Sequence, residues 1–424
     1  MKITVLHTTG NSNVRAILRA LVQANMLAEF DTTIGISSAA TWLRLMPGQI
    51  RNECLRRSFA VPPEQLWVHP IRELAHMILP RIGLKRFVRH EQGWASWDAV
   101  HRSFDAAAAK RLKQQAKKSQ VGAVYAYEDA ALATFTQAKA LGLKCIYDLP
   151  IAYWETGRAL MMEEAERQPE WACTLGGGIH DSPAKLERKE KELKLADVVI
   201  GPGQFVIDSV PEWARGKKLI SAPFGSPTSS AGLARIAETD AQTSRRPLRV
   251  LFVGGMSQRK GLGDLLDAVR LLNRSDLELV VMGIPMTMVP MEFYKNQFSQ
   301  APNVRYEPSR SHGQVLEFMR TCDVFCLPSI VEGRALVMQE AMSQGLPLII
   351  TPNTGGSDLI QEGATGFLVP IRSPEAIAEK IEWFLDNRSA IPEMGRLAQQ
   401  HAARYTWESY SNHIVRSLAE YLAV

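Results

Sequence analysis

Cysteine is scarce in this chain of 424 residues, and its placement excludes a disulfide-stapled scaffold. Cys54, Cys145, Cys173, Cys322 and Cys326 are scattered; Cys322 and Cys326 stand four apart, but no His or further Cys nearby completes a metal set. We read all five as buried, reduced thiols of a cytosolic protein. Long apolar runs are also missing, since no segment approaches the roughly 18 uncharged apolar residues of a spanning helix. The opening MKITVLHTTG is too short and too polar for a signal peptide and reads as a first β-strand. Metal signatures are equally thin. No Asp-x-Asp stands at a strand end, and His69, His76, His90 and His101 are dispersed rather than set at ligand spacing. The expectation is a site with neither metal nor resident cofactor. No nucleic-acid recognition module appears, which argues against that class of partner.

What is present reads as a soluble globular enzyme, with 46% hydrophobic and 22% charged residues. The length exceeds what one compact core supports and suggests two or three domains. Charge is unevenly placed. Residues 72–118 hold eleven Lys and Arg against Glu73, Glu91, Asp98 and Asp105, a surplus larger than the +5 of the whole chain. That imbalance points to an anionic partner for the first half.

From residue 248 onward, apolar strands and amphipathic helices alternate. LRVLFVGG, LELVVMG, VRYEP, VFCLPS and PLIIT read as strands, and GLGDLLDAVRLL, HGQVLEFMRTC and RALVMQEAMSQG as helices between them. This is the pattern of an α/β fold with a parallel sheet covered on both faces. The first half repeats it less regularly: ITVLH, a helix over 14–28, TTIGIS, a long insert, then GAVYAY, KCIYDL and DVVIGP. The expected organisation is a first doubly wound domain over 1–225, a polar linker over 226–247 and a second domain over 248–404. The 405–424 tail, with Tyr405, Trp407, Tyr410 and Tyr421, is expected to pack as a helix back onto the first domain. Two such domains facing each other hold ligands in the crevice at their strands' carboxyl ends.

Three segments fall at those ends. In SIVEGRALVMQEAMSQG, Glu332 precedes a helix expected to start near Arg334 or Ala335, and Glu340 lies about two turns in. The helix start offers free N–H groups and a positive dipole end to an anion. Carboxylates bind hydroxyl pairs and repel phosphates, so Glu332 and Glu340 fit the two polyols of a nucleotide sugar, with its diphosphate between them. The same pair could equally be surface acids near a helix start. In FVGGMSQRKG, Lys260 is poised for a phosphate and Arg259 to assist it, unless this is only a solvated basic loop; the G-K-[ST] ending of a Walker loop is absent. In TPNTGGSDLI, the Gly355-Gly356 pair permits close backbone approach.

The order FVGG…KG, CDVFCLPS, E-x(7)-E, TGGSDLI and GFLVP resembles the retaining nucleotide-sugar glycosyltransferases of family 4, also called glycosyl transferases group 1. The resemblance is strong over about 248–405 and lies mainly in layout before that. It implies the GT-B architecture, two Rossmann-like domains facing a central cleft. It also implies retention at the anomeric carbon, with the leaving phosphate taking the acceptor proton. Carried over, Lys260 binds the donor diphosphate, Glu332 contacts the transferred sugar and Glu340 holds the ribose diol. Gly333 and backbone groups near Arg334, Ala335 and Leu336 meet sugar and phosphate. There are departures from the pattern. Gly255 stands where relatives often carry Arg, which leaves Arg259 or Arg334 to supply the second phosphate cation. Arg334 stands where an aromatic is usual. Tyr127 stands where relatives often carry His; it can donate a hydrogen bond. The first loop, TTGNSN, lacks the usual double glycine, leaving Gly10 to face the diphosphate.

The resemblance implies a UDP-, GDP- or other nucleotide-sugar donor and a glycan, lipid-linked or other glycoconjugate acceptor. The insert HPIRELAHMILPRIGLKRFVRHEQGWASW mixes cations with large apolar groups, which suits peripheral contact with a membrane through residues 72–97; it would also suit a solvated face over the domain. The expected location is cytoplasmic, with peripheral contact on the inner face of a membrane. Two other readings stay open: an epimerase or hydrolase of the same fold acting without an acceptor, and a binding protein that kept the fold without catalysis.

Overall fold

The computed structural model describes residues 1–8, 10–40, 55, 57–117, 121–226, 246–287 and 289–423. Two parallel sheets organise the chain. The first is built from β1 (Lys2–Leu6), β2 (Leu27–Thr32), β5 (Leu66–Val68), β6 (Val121–Tyr127), β7 (Lys144–Asp148), β8 (Val198–Gly201) and β9 (Lys218–Ser221), in the order β5-β2-β1-β6-β7-β8-β9. Two short strands of the insert region, β3 (Ile36–Ser37) and β4 (Ser58–Phe59), pair only with each other. The second sheet holds β10 (Leu248–Met256), β11 (Leu277–Pro285), β12 (Val304–Pro308), β13 (Val324–Leu327), β14 (Leu348–Ile350) and β15 (Gly366–Leu368), in the order β12-β11-β10-β13-β14-β15. Both are doubly wound, Rossmann-like sheets. Their order reverses between β1 and β6 in one and between β10 and β13 in the other, and a crevice opens at the carboxyl ends of such a pair.

Continuous apolar strands place these sheets at the centre. VFCL of β13, LII of β14 and VVIG of β8 are buried at every position, as helices on both sheet faces require. The thiols follow the same logic for Cys145, Cys322 and Cys326, which are buried and free, whereas Cys173 is exposed, contrary to the sequence expectation. Burial pushes the Cys145 and Cys322 thiols up to about 12, so neither is a thiolate at neutral pH. Cys54 and residues 227–245 of the expected linker lie outside the described residues.

The first half departs from expectation in two strands not anticipated, β5 and β9, and in the placing of its second strand. The helix expected over 14–28 is Ser12–Gln23, and the second strand starts at Leu27, upstream of the TTIGIS run. Asn25 takes a left-handed conformation (φ 54°) that ends the helix early. The strand was obscured by its acids. Glu29 is buried against Arg111, which donates to both carboxylate oxygens at 2.8 and 2.9 Å, and Asp31 is fully buried beside them.

The chain crosses between the two sheets twice more. Helix Trp154–Arg167 and the following 3-10 turn Pro169–Thr174 leave the first sheet and pack on the second domain, where Trp171 sits buried against Phe293 at 5.1 Å. Glu164, fully buried, accepts from Gln258 (2.7 Å), Arg167 (2.5 Å) and Arg372 (2.8 Å). The C-terminal helix Trp407–Ala423 returns in the opposite direction. Its Tyr410, Ile414 and Leu418 join Val14, Ile17 and Leu21 of helix Ser12–Gln23 in one buried cluster.

Candidate functional site

The loops after β10 and β13 meet at one carboxylate. Glu332 follows β13 in a buried loop, and its Oε1 lies 2.5 Å from the Lys260 ammonium and 3.0 Å from the Arg259 guanidinium. Both cations come from the short 3-10 turn Gln258–Lys260 after β10. The two loops are locked together by two hydrogen bonds: the Ile330 amide donates to the Arg259 carbonyl at 2.9 Å, and the Arg259 side-chain Nη1 donates to the Val331 carbonyl at 2.8 Å. The Glu332 amide in turn donates to the Asn353 carbonyl after β14, at 3.1 Å. Burial pushes the Glu332 carboxyl up, but Lys260 and Arg259 outweigh it and hold the group below the usual carboxylate range. The result is an ionised carboxylate flanked by two cations at a topological switch point.

Glycine is required where these loops touch. Gly261 has φ +71°, and a Cβ there would stand 2.1 Å from the Pro328 carbonyl. Gly333, next to Glu332, has the Pro150 carbonyl of the first domain where its Cβ would lie, at 1.8 Å. The same face carries an apolar contact between the domains, in which Ala152 and Met161 pack with Ile330 and Val331. The charged site therefore sits directly beside the interdomain seam.

Other sequence candidates are placed as follows. Helix Leu336–Ser343 starts one or two residues later than expected, so Glu340 lies little more than one turn in, about 6 Å along the axis from Leu336. Glu340 Oε1 lies 3.0 Å from His312 Nε2, at the start of helix His312–Met319 after β12. Arg334 is committed elsewhere. Its guanidinium side chain is fully buried, donates to both Asp358 oxygens (2.7 and 3.1 Å), to the Gly355 carbonyl (2.8 Å) and to Gln339 (2.9 Å), and lies over the Tyr405 ring. Of the two sequence candidates for a second phosphate cation, Arg259 thus stands beside Lys260 and Arg334 faces Asp358. The Ala335 amide donates to the Thr354 carbonyl at 3.3 Å, while Leu336 is half-buried at the helix start. Gly255 is half-exposed, with Met286 Sδ the nearest atom to an added Cβ at 3.8 Å, so that position has room for a side chain.

In the first domain, Gly10 forms the exposed turn after β1 and its carbonyl accepts from Arg15 at 2.8 Å. Tyr127 ends β6, the strand across the switch point from β1, and its ring lies 4.3 Å from that of His7. Burial, then Asp148, Glu128 and Asp129, push the Tyr127 hydroxyl up, so it stays protonated and can act only as a neutral donor or acceptor. Sequence reading missed His7, His312 and Asn353 as neighbours of the site. Each stands within four residues of a strand end, and that position was the available signal. A grouping hidden by spacing also links the insert to Asp181: the ligand atoms of His90, Glu91 and Asp181 lie within 4.8 Å of one another, with Lys185 already paired to Asp181 at 2.8 Å.

Residues 237–402 match the family of glycosyl transferases group 1. A D-inositol 3-phosphate glycosyltransferase of Paenarthrobacter aurescens is 29% identical over 167 residues, which is 38% of this chain and 40% of the relative. The chain thus spans about two fifths of the length of such relatives. Among solved structures, sucrose-phosphate synthase from Thermosynechococcus elongatus is similar with a TM-score of 0.61 and 16% identity, covering 100% of this chain and 99% of that one. The Anabaena protein HepE, solved in complex with UDP, matches with a TM-score of 0.61 and 15% identity over 99% of this chain and 100% of that one. These whole-chain likenesses establish the fold, two Rossmann-like domains of the GT-B type.

Two predictions follow from this geometry. Gly333→Ala should force the Pro150 carbonyl away and loosen the domain contact, whereas Gly216→Ala, with open space at its Cβ, should not. Small-angle X-ray scattering should show a larger radius of gyration for the first variant alone; equal radii for both would contradict the close approach.

The second concerns Asp148, paired with Tyr127 across β6 and β7 and accepting from Tyr125 at 2.9 Å. Burial pushes its carboxyl from the usual 3.8 up to about 7. The folded state therefore holds this proton more tightly than the unfolded chain, and that contribution to stability fades as pH rises from 3.8 through about 7. Asp148→Asn keeps an acceptor for Tyr125 and removes the titration. Urea midpoints should favour the variant over wild type more at about pH 8 than at about pH 5; parallel profiles would rule out the shift.

Proposed function

We propose that this protein is a glycosyltransferase that moves a sugar from a nucleotide-diphosphate donor to a glycan, lipid-linked or other glycoconjugate acceptor, with retention and without a metal. The observation that carries this reading is the pair of cations, Lys260 and Arg259, gathered on Glu332 at the β10/β13 switch point. The resemblance of residues 237–402 to glycosyl transferases group 1 supports the same reading. The solved HepE complexes, one with UDP and one with UDP-glucose, make uridine nucleotides reasonable first probes.

In this account the donor diphosphate lies against Lys260 and Arg259. These cations oppose the charge that grows on the leaving group, the task a metal performs elsewhere. Glu332 changes partners as the phosphates arrive and accepts from hydroxyls of the transferred sugar. Glu340, released from His312, accepts from the ribose diol. The acceptor attacks the face from which the diphosphate departs, and its proton passes to the leaving phosphate oxygen. Tyr127, held neutral, donates a hydrogen bond from the first domain. Gly10, Gly255, Gly333 and the backbone around Ala335 and Leu336 border the donor.

Calorimetry separates these roles. Lys260→Ala and Glu340→Ala should each weaken UDP binding about tenfold or more, because each removes a charge-assisted contact to the nucleotide. Glu332→Gln should bind UDP at least as well as wild type, since the competing carboxylate is gone, yet lose transfer by about a hundredfold or more with EDTA present throughout. Equal weakening of bare UDP by all three changes, or transfer by wild type that EDTA abolishes and Mn²⁺ restores, would overturn the assignment.

A further inference from the structure

Among the described residues fifteen large hydrophobic side chains are exposed, and eight of them lie between Val68 and Trp97. The helix Ile71–Ile78 is the centre of this concentration. Ile71 (64% exposed), Leu74 (42%) and Ile78 (52%) form one stripe along it, and Ile82 (63%) extends the stripe into the next turn. The opposite face is polar and points inward. Glu73 is buried, accepting from Arg57 at 3.2 Å and from Thr33, and His76 Nδ1 meets the Ala95 carbonyl at 2.7 Å. A surface helix of a soluble domain normally turns its apolar stripe to the core. This one is inverted, with its inner polar groups satisfied, so the outward stripe is a built feature of the fold.

The rim of the stripe has one sign of charge. Arg81, Lys85, Arg86 and Arg89 are exposed, and the only acid between residues 71 and 90 is the buried Glu73. Trp94, 48% exposed, lies 5.2 Å from the Arg72 guanidinium. Arg72 also lines an open recess of about 490 Å³ with His69, Arg102 and Lys110. Large apolar side chains at the centre, tryptophan at the edge and cations around them match the layers of an anionic bilayer, acyl chains below and phosphates above.

We propose that this face docks the protein on an anionic lipid bilayer, with Ile71, Leu74, Ile78 and Ile82 seated among the acyl chains and Arg81, Lys85, Arg86 and Arg89 at the phosphate layer. The proposal does not depend on the donor reading, because vesicle binding requires no nucleotide.

The test is co-sedimentation of the full chain with vesicles of phosphatidylglycerol and phosphatidylcholine, or of phosphatidylcholine alone. Two variants accompany wild type: Ile71→Ser with Leu74→Ser and Ile78→Ser, and Arg81→Ala with Lys85→Ala, Arg86→Ala and Arg89→Ala. All the substituted side chains are exposed, and circular dichroism melting checks that both variants fold. Wild type should pellet with the anionic vesicles and not the neutral ones. The charge variant should bind more weakly by roughly a thousandfold, high salt should act in the same direction, and the serine variant should also be released. Wild type that ignores anionic vesicles at low salt overturns the proposal. So does a charge variant that binds as wild type does. So does sedimentation velocity, without lipid, showing a dimer that the serine variant dissolves, since the stripe would then cover a second copy of this chain.

Discussion

An ionised carboxylate cannot be left unpaired in a buried loop, and the arrangement around Glu332 follows from that constraint. Taking a carboxylate out of water costs several kcal/mol unless nearby charge offsets it, and removing one partner of a buried pair costs about 3–5 kcal/mol. Glu332 therefore needs Lys260 and Arg259 at contact distance. For those two side chains to arrive, the loop after β10 must press against the loop after β13, which requires a residue without a Cβ at Gly261. The same loop presses on the first domain through Gly333. Parallel order, switch point, glycine placement and domain contact all converge on one charge cluster.

That cluster also explains why the resting site suits an anion. The cations are held in place before any ligand arrives, so on the proposed reading little side-chain entropy would be lost when a diphosphate took them over. In the proposed reading Glu332 is the occupant to be displaced, and the hydroxyls of a sugar are acceptable new partners for it because they donate where the cations did. Glu340 and His312 pair on a smaller scale, a carboxylate beside an exposed imidazole. Arg334 shows the contrast. With Asp358 and Gly355 around a fully buried guanidinium, it fixes the loop after β14 to the helix start, and no exchange is open to it.

Much of the second domain was legible because its strands are uninterrupted apolar runs and its helices are periodic; VFCL and PLIIT could be little else. The pairing of Lys260 with Glu332 was legible only as two separate candidates, since 72 residues separate them and their contact depends on sheet order. The first domain was harder. Its second strand carries Glu29 and Asp31, which read as surface residues until Arg111, 82 residues away, is seen to neutralise Glu29. Arg334 looked available because a sequence displays its charge but not Asp358 beside it. The inward turn of Glu73 and His76, which inverts helix Ile71–Ile78, likewise depends on partners from elsewhere in the chain.

The central claim is that Lys260 and Arg259 form the seat of a nucleoside diphosphate. An affinity label tests it most directly. A uridine diphosphate bearing a pyridoxal aldehyde on its terminal phosphate forms an imine with a lysine near the phosphates, and borohydride reduction makes the bond permanent. Peptide mapping should find the label on Lys260, in amounts that excess UDP suppresses. Label concentrated on lysines of the insert such as Lys85 or Lys110, or label on Lys260 that UDP does not suppress, would contradict the account.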